Sequence, residues 1–324
     1  GRLISPATPA TAVAHRQLHH VLGHDLIFSR KGFDSQTGGC ASPIIDGRPY
    51  SLPIPAATPT PTRYRDLTRD IGKIVQDLTG GRIGPGDACH LDPDIDKVAL
   101  AARLPGWRGC FGQVGASQAH LERQGVGVGD LFLFWGLFRT AERSSDGRWV
   151  FAGPAEHRVF GWLQVGEVHY VGYNGSTILD RHPWLRDHPH ARAGWTRQNT
   201  LYVARAELSL AGRQLPVPGW GVFPHGHRLT TAGERPSIWS APAWLDPTRG
   251  GTGMSYHGQR ERWNADTGQL SCVARGQEFV ADIGTRSDAL DWIESLWRGD
   301  ASHASAVRPD DRIERPIVAV ASTP

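Results

Sequence analysis

Lysine is almost missing from this 324-residue chain. Only Lys31, Lys73 and Lys97 stand among its 35 cations, so arginine carries nearly all the positive charge. Arginine favours planar, bidentate and stacking contacts, although a GC-rich coding bias gives the same skew and is the simpler cause. Cysteine is scarce too. Cys40, Cys89, Cys110 and Cys272 show no paired spacing, which excludes a disulfide scaffold and a zinc ribbon or finger and suits a reducing, cytoplasmic compartment. The longest apolar run, Leu131 to Trp135, falls far short of the roughly 20 residues that cross a bilayer, and no basic segment followed by an apolar one opens the chain. No membrane partner is expected. An excess of one charge is also lacking: a net charge of +3 and a pI near 8.8 argue against extended binding along a duplex backbone. Internal repeats and heptads are absent, so solenoids and coiled coils are left out.

What the chain has in quantity is tryptophan, twelve in all. Most belong in a core, and one or two lining a pocket would suit a nucleobase, because every base has a stackable face. The length allows one large or two ordinary domains with a full hydrophobic core. Residues 1–23, rich in Ala, Thr, Pro and His, read as an extension, and residues 301–324 as a flexible tail, which leaves 24–300 for the chemistry. Within that span Asp25 to Ser29 suggests a strand, and Ser42 to Pro55 a hairpin turning at Asp46-Gly47. Leu67, Ile71, Ile74, Val75 and Leu78 recur at helical spacing and stop at Gly80-Gly81. Further helices are expected over Val114 to Gln124 and from Ser287 to Gly299, and strands over Asp130 to Phe138 and Arg158 to Val168. The fold class is therefore α+β, mainly an antiparallel sheet or barrel with a few packed helices. Val171 to Gly194, dense in His, Pro, Arg and Trp, is a lid or an ordered excursion.

The most informative stretch is Phe28 to Ser35, which crowds Ser29, Arg30, Lys31 and Asp34 into a turn at the end of a short strand. Such a turn can offer guanidinium, ammonium and backbone N–H donors to a phosphate or carboxylate. A solvated hairpin turn with incidental charges is the plainer alternative. Ser29 to Ser35, the following Gly-Gly-Cys-Ala-Ser-Pro-Ile-Ile and the later Ser51-Leu-Pro-Ile-Pro resemble the opening of the bacterial and phage family called nucleotide modification associated domain, type three. The similarity continues through Cys89 to Asp94, Phe111 to Gln113, Gly127 to Phe138 and Phe160 to Val168, and spans roughly residues 25 to 300. It implies a nucleotide or modified nucleobase as substrate class, with nucleic acid as a candidate partner, and specifies no reaction. The stretch 125–205 also resembles PUA-like and EVE-type barrels, which hold RNA or a modified base beside the barrel.

Candidate chemistry falls into three further clusters. Cys89 to Asp96 sets a thiol, an imidazole and three carboxylates close together. His90 and Asp92 share a face if extended, and with a distant His188 or His190 they would form a two-histidine, one-carboxylate site for a divalent metal such as iron. Arg197 would then sit where iron and 2-oxoglutarate oxygenases hold the co-substrate carboxylate. The alternative is a structural turn in which Asp92 and Asp94 cap neighbouring N–H groups. Gln113, Ser117, Gln118, His120 and Glu122 flank a short helix start suited to phosphate, or else lie on a plain surface helix. Gln164, Glu167, Asn199, Arg275 and Gln277 combine amide readers of base edges with a candidate general acid or base.

Two functions compete. In the first, an enzyme modifies a nucleotide or nucleobase: Arg30 and Lys31 grip phosphate, Asp34 or Glu167 moves protons, and His90, Asp92 and Asp94 bind metal or orient substrate. In the second, a non-catalytic reader seats a modified base. Titratable groups in such density favour the enzyme. Nothing in the sequence speaks to oligomeric state.

Overall fold

The computed structural model describes residues 24–57, 60–195 and 198–304. The expected extension 1–23, most of the expected tail and Arg197 lie outside the described residues. The first half of the chain gives β1 (His24–Arg30), the hairpin β2 (Ser42–Ile45) and β3 (Arg48–Pro49), β4 (Ile54–Pro55), α1 (Ile71–Leu78), β5 (Cys89–His90), β6 (Cys110–Gln113) and α2 (Gly115–Gln124). Two long strands follow, β7 (Leu131–Arg143) and β8 (Trp149–Tyr170), then β9 (Thr200–Ala204), β10 (Glu207–Leu210), β11 (Arg213–Pro218) and β12 (Trp220–Arg228). The chain closes with β13 (Ile238–Ser240), β14 (Trp263–Asn264), β15 (Gln269–Ser271), β16 (Glu278–Gly284) and α3 (Ser287–Ala304).

The fold is α+β around a mixed, largely antiparallel sheet in the order β16-β1-β7-β8-β9-β6. Among the described residues no closed barrel forms, so the barrel form of the expectation is corrected. Closure would need the two ends of the strand path to pair, whereas β16 hydrogen-bonds only toward β1, and β6 only toward β9, on that path. The β7–β8 hairpin is the spine. β7 receives β1 in parallel along Leu131 to Trp135 and β2 in parallel along Phe138 to Thr140, while β8 receives β12 and then β9 along its length.

The Leu-Phe-Leu-Phe-Trp run explains why both faces of this sheet are covered. Leu131, Leu133 and Trp135 pack with Leu26, Phe28 and Phe279 and with Ile293 and Leu296 of α3. Phe132, Phe134 and Phe138 point the other way, to Ile27, Phe111 and Leu121. A strand alternating between two apolar faces needs a layer on each side, and α3 and α2 supply part of each.

Local signals hold with two adjustments. Asp46 and Gly47 take φ of 50° and 74°, as a two-residue hairpin turn requires. α1 starts at Ile71 rather than near Leu67, because Arg69 and Asp70 adopt left-handed φ of 58° and 57° and break the periodic run. α3 passes through Gly299 to Ala304; one glycine inside a helix costs only about 1 kcal/mol against alanine. The four cysteines are free. Among the described residues no helix is long and apolar enough to cross a membrane.

His157 of β8 is buried beneath this sheet, 4.8 Å from the Trp135 ring, and its Nδ1 accepts a hydrogen bond of 2.9 Å from Trp239 Nε1. Burial, helped by the Arg30 charge, pushes its pKa down to about 3. An imidazole lowered in the folded state stays neutral there while the unfolded chain takes up a proton, so its contribution is full above pH 6.5 and is lost as pH falls toward 3. Urea unfolding is expected to give a stability about 2 kcal/mol lower at pH 5 than at pH 7.5 from this group. The difference should shrink in His157→Gln, which can still accept from Trp239 but does not titrate.

Candidate functional site

The centre of the site is the Asp92 carboxylate. β5 carries the chain to His90, Leu91 turns into the core under α1, and Asp92 then faces β6, with its side chain only 5 % exposed. Its Oδ1 accepts the Gly112 backbone N–H at 2.8 Å and lies 3.2 Å from His188 Nε2. Its Oδ2 lies 3.7 Å from His190 Nε2 and 3.8 Å from His90 Nε2. Burial alone would push this carboxyl up, but the contacts from His188 and His90 outweigh it and hold the group ionised, well below the usual carboxylate range.

His188 and His190 arrive on the excursion between β8 and β9, which is ordered by its own small core. Ile178, Trp184, Leu185 and Ala191 bury against Cys110, Leu201 and Val203 on β6 and β9. At about 1.5–3 kcal/mol for each large apolar side chain, this offsets the entropy of ordering the segment. Gly112 makes the approach feasible, since a Cβ there would fall 2.2 Å from His190 Cγ. Asn199, fully buried at the entry to β9, then fixes the ring. Its Nδ2 donates to the His190 carbonyl at 3.0 Å, so its Oδ1 must face His190 Nδ1 at 2.8 Å and accept the ring proton. The Nε2 lone pair is left toward Asp92. Burial lowers the His190 pKa to about 3, which keeps the ring neutral, and Trp195 stacks on it at 4.2 Å.

A cleft of about 640 Å³ opens in front of this cluster, within the roughly 300–1,000 Å³ range of small-molecule sites. His90, Asp92, His190 and Trp195 form one wall, and Arg30, Lys31 and Asp34 of the early turn form another. Gln113, Arg275 and Gln277 also line it. The two segments singled out in the sequence, some sixty positions apart, thus share one hollow. Their charges are already committed: Arg30 pairs with Asp34 at 2.9 Å, and Lys31 pairs with the buried Glu278 at 3.0 Å while lying over the Phe111 ring. Asp34 also accepts the Gln36 and Thr37 backbone N–H groups on its other oxygen, Oδ1. Gln113 donates to Glu278 at 2.6 Å. Arg275 is exposed and makes no ion pair among the described residues. The cleft is therefore polarised, with an uncommitted cation at its rim and a buried anion on its inner wall.

Other sequence candidates stand elsewhere. Ser29 is buried within β1, its hydroxyl without a hydrogen-bond partner among the described residues. Asp94 faces away, held by Arg103 through two bonds of 2.7 and 2.6 Å and by Trp107; burial raises its pKa, against the pull of Arg103. Gln164 bonds the Gly129 and Ser209 backbones and locks strands together. His120 of α2 contacts Ser255 and Tyr256 outside the cleft lining. Asn199 touches His190 and does not line the cleft. Glu167 belongs to a second cluster with His169 at 2.9 Å and His182 at 3.3 Å, where the Arg108 guanidinium already pairs with it. Asn199 had the signal of a base reader and acts on a histidine; Glu278, which ends the Arg275-Gly276-Gln277-Glu278 run of the third cluster, instead holds Lys31 and Gln113, partners too remote in sequence to be read from it.

Residues 25–282 match the model of the family described as nucleotide modification associated domain 3. The chain belongs to that family. No curated protein and no solved structure matches it significantly. Within this nucleotide modification associated domain 3 chain, the match runs from β1 to β16 and so takes in every residue of the cleft.

Removing Arg103 should separate structure from site. Arg103→Ala strands the buried Asp94 carboxylate and is expected to lower stability by about 3 kcal/mol in chemical denaturation. Ligand binding in the cleft should survive, because neither residue lines it.

Proposed function

We propose that this chain is an enzyme that modifies a nucleotide or nucleobase held in the cleft between the Arg30–Asp34 turn and the His90–Asp92–His190 wall. One observation carries the reading: a buried ionised carboxylate ringed by imidazoles faces the same 640 Å³ hollow as the cationic turn. A site that only read a base would need shape and amides, whereas a desolvated carboxylate with three histidines around it suits proton transfer or electrophilic assistance. Membership of a family associated with nucleotide modification supports this choice of substrate class.

The division of labour follows from what each side chain has left to give. Arg275, with no ion-pair partner among the described residues, meets the anionic group of the ligand at the rim. Arg30 and Lys31, each neutralised by its own carboxylate, shape that end of the cleft and add hydrogen-bond donors without net charge. Gln277, exposed at the cleft, presents an amide for base edges, and Trp195 adds an apolar wall. His90, only partly buried, is the imidazole of this wall that a bound ligand reaches most readily.

Calorimetry with nucleoside monophosphates and short single-stranded oligonucleotides tests this reading. Binding is expected, with Arg275→Ala weakening it about tenfold, the scale of one charge-assisted hydrogen bond. Mass spectrometry of the incubated probes should show a mass-shifted product that disappears in His90→Ala; unchanged probes would leave a reader, and no binding to any of them would remove the proposal.

A further inference from the structure

We infer that His90, Asp92 and His190 bind a divalent first-row transition-metal ion, an inference that rests on reading this cleft as a ligand site. One donor atom from each lies within 4.8 Å of the others. The gaps from Asp92 Oδ2 to the two Nε2 atoms, 3.7 and 3.8 Å, exceed by only a few tenths of an ångström the roughly 3.0–3.4 Å separation that ligands about 2.1 Å from one ion must have. Both gaps are alike, so the two imidazoles and the carboxylate would draw together around the ion.

Three features set this cluster apart from an ordinary buried network. First, the hydrogen bonds of Asn199 leave the lone pair of His190 on Nε2, as a metal-ligating imidazole with a fixed outer partner requires. Second, Asp92 has no lysine or arginine partner among the described residues; imidazoles and one backbone N–H are its only company. Asp94 is compensated by Arg103 and Glu167 by Arg108. A buried carboxylate compensated by imidazoles, with no guanidinium or ammonium beside it, can share its second oxygen with a divalent ion set between these donors. The same comparison sets aside the Glu167, His169 and His182 cluster, where Arg108 already fills that role. Third, the three donors stand on the cleft wall, so positions on the ion would remain for ligand or water from the hollow.

Donor chemistry narrows the ion. Two imidazole nitrogens with one carboxylate suit iron(II) or zinc(II), whereas magnesium and calcium favour all-oxygen shells. His188 does not face the ion's position directly. It contacts the other Asp92 oxygen and accepts the His190 backbone N–H at 3.3 Å, which makes it a support for both ligands.

The test uses tag-free full-length chain loaded separately with iron(II) under anaerobic conditions and with zinc(II), then desalted and measured by elemental mass spectrometry. About one equivalent of one of the two should remain, together with a rise in melting temperature. His90→Ala should fall below about 0.1 equivalent with an unchanged circular-dichroism spectrum, and Asn199→Ala should weaken affinity about 10–100-fold. Neither ion retained, or equal retention in wild type, His90→Ala and His190→Gln, would overturn the site. Nucleotide binding measured on the same samples keeps the two readings apart: nucleotide bound without metal sinks the metal site alone, and metal bound without nucleotide upholds the site and sinks the proposed function.

Discussion

A carboxylate taken out of water must be paid for locally, and in this protein Asp92 sets the terms for everything around it. Its hydrogen bond from Gly112 ties the segment after β5 to the backbone of β6, and its contacts with His188 and His190 draw the β8–β9 excursion onto the same point. The excursion has an apolar reason of its own to dock, through Trp184, Leu185 and Ile178. The apolar contacts, from Ile178 to Ala191, thus bracket the two histidines in the same segment. Docking fixes where it lies, and the carboxylate fixes which way its histidines turn.

Charge is partitioned with similar economy along the cleft. The cations of the early turn are held by carboxylates, one from the turn itself and one, Glu278, reaching in from β16. Because β1 pairs with β16, Ser29 stands opposite Glu278, and the turn after β1 cannot move without carrying that ion pair with it. Lys31 is further confined by the Phe111 ring, whose neighbour Gly112 bonds Asp92. The two walls of the hollow are consequently joined through β6, so the distance between them is a property of the sheet rather than of flexible loops.

Much of the fold was legible from local pattern. The β1 strand, the turn at Asp46-Gly47, the apolar spacing of α1 and the long hairpin strands all rest on interactions between near neighbours, which a sequence displays directly. The barrel alternative failed because closure depends on which strand edges meet, and Leu131 to Trp135 reads the same in an open sheet with two covered faces as in a barrel wall. The start of α1 was misplaced by the left-handed pair Arg69 and Asp70, whose side chains carry no strong warning of that conformation.

The residue types alone determined a protein of free thiols, apolar strands and scattered titratable clusters, because composition and spacing are set before the chain folds. Which clusters would keep company was decided in three dimensions. Asp92 and Asp94 are two positions apart and alike in chemistry, yet one meets histidines from a remote excursion and the other meets Arg103 nine positions away. Burial and charge compensation act through space, and simple alternation, which would set positions two apart on one face, does not govern this segment; that sorting belongs to the tertiary structure.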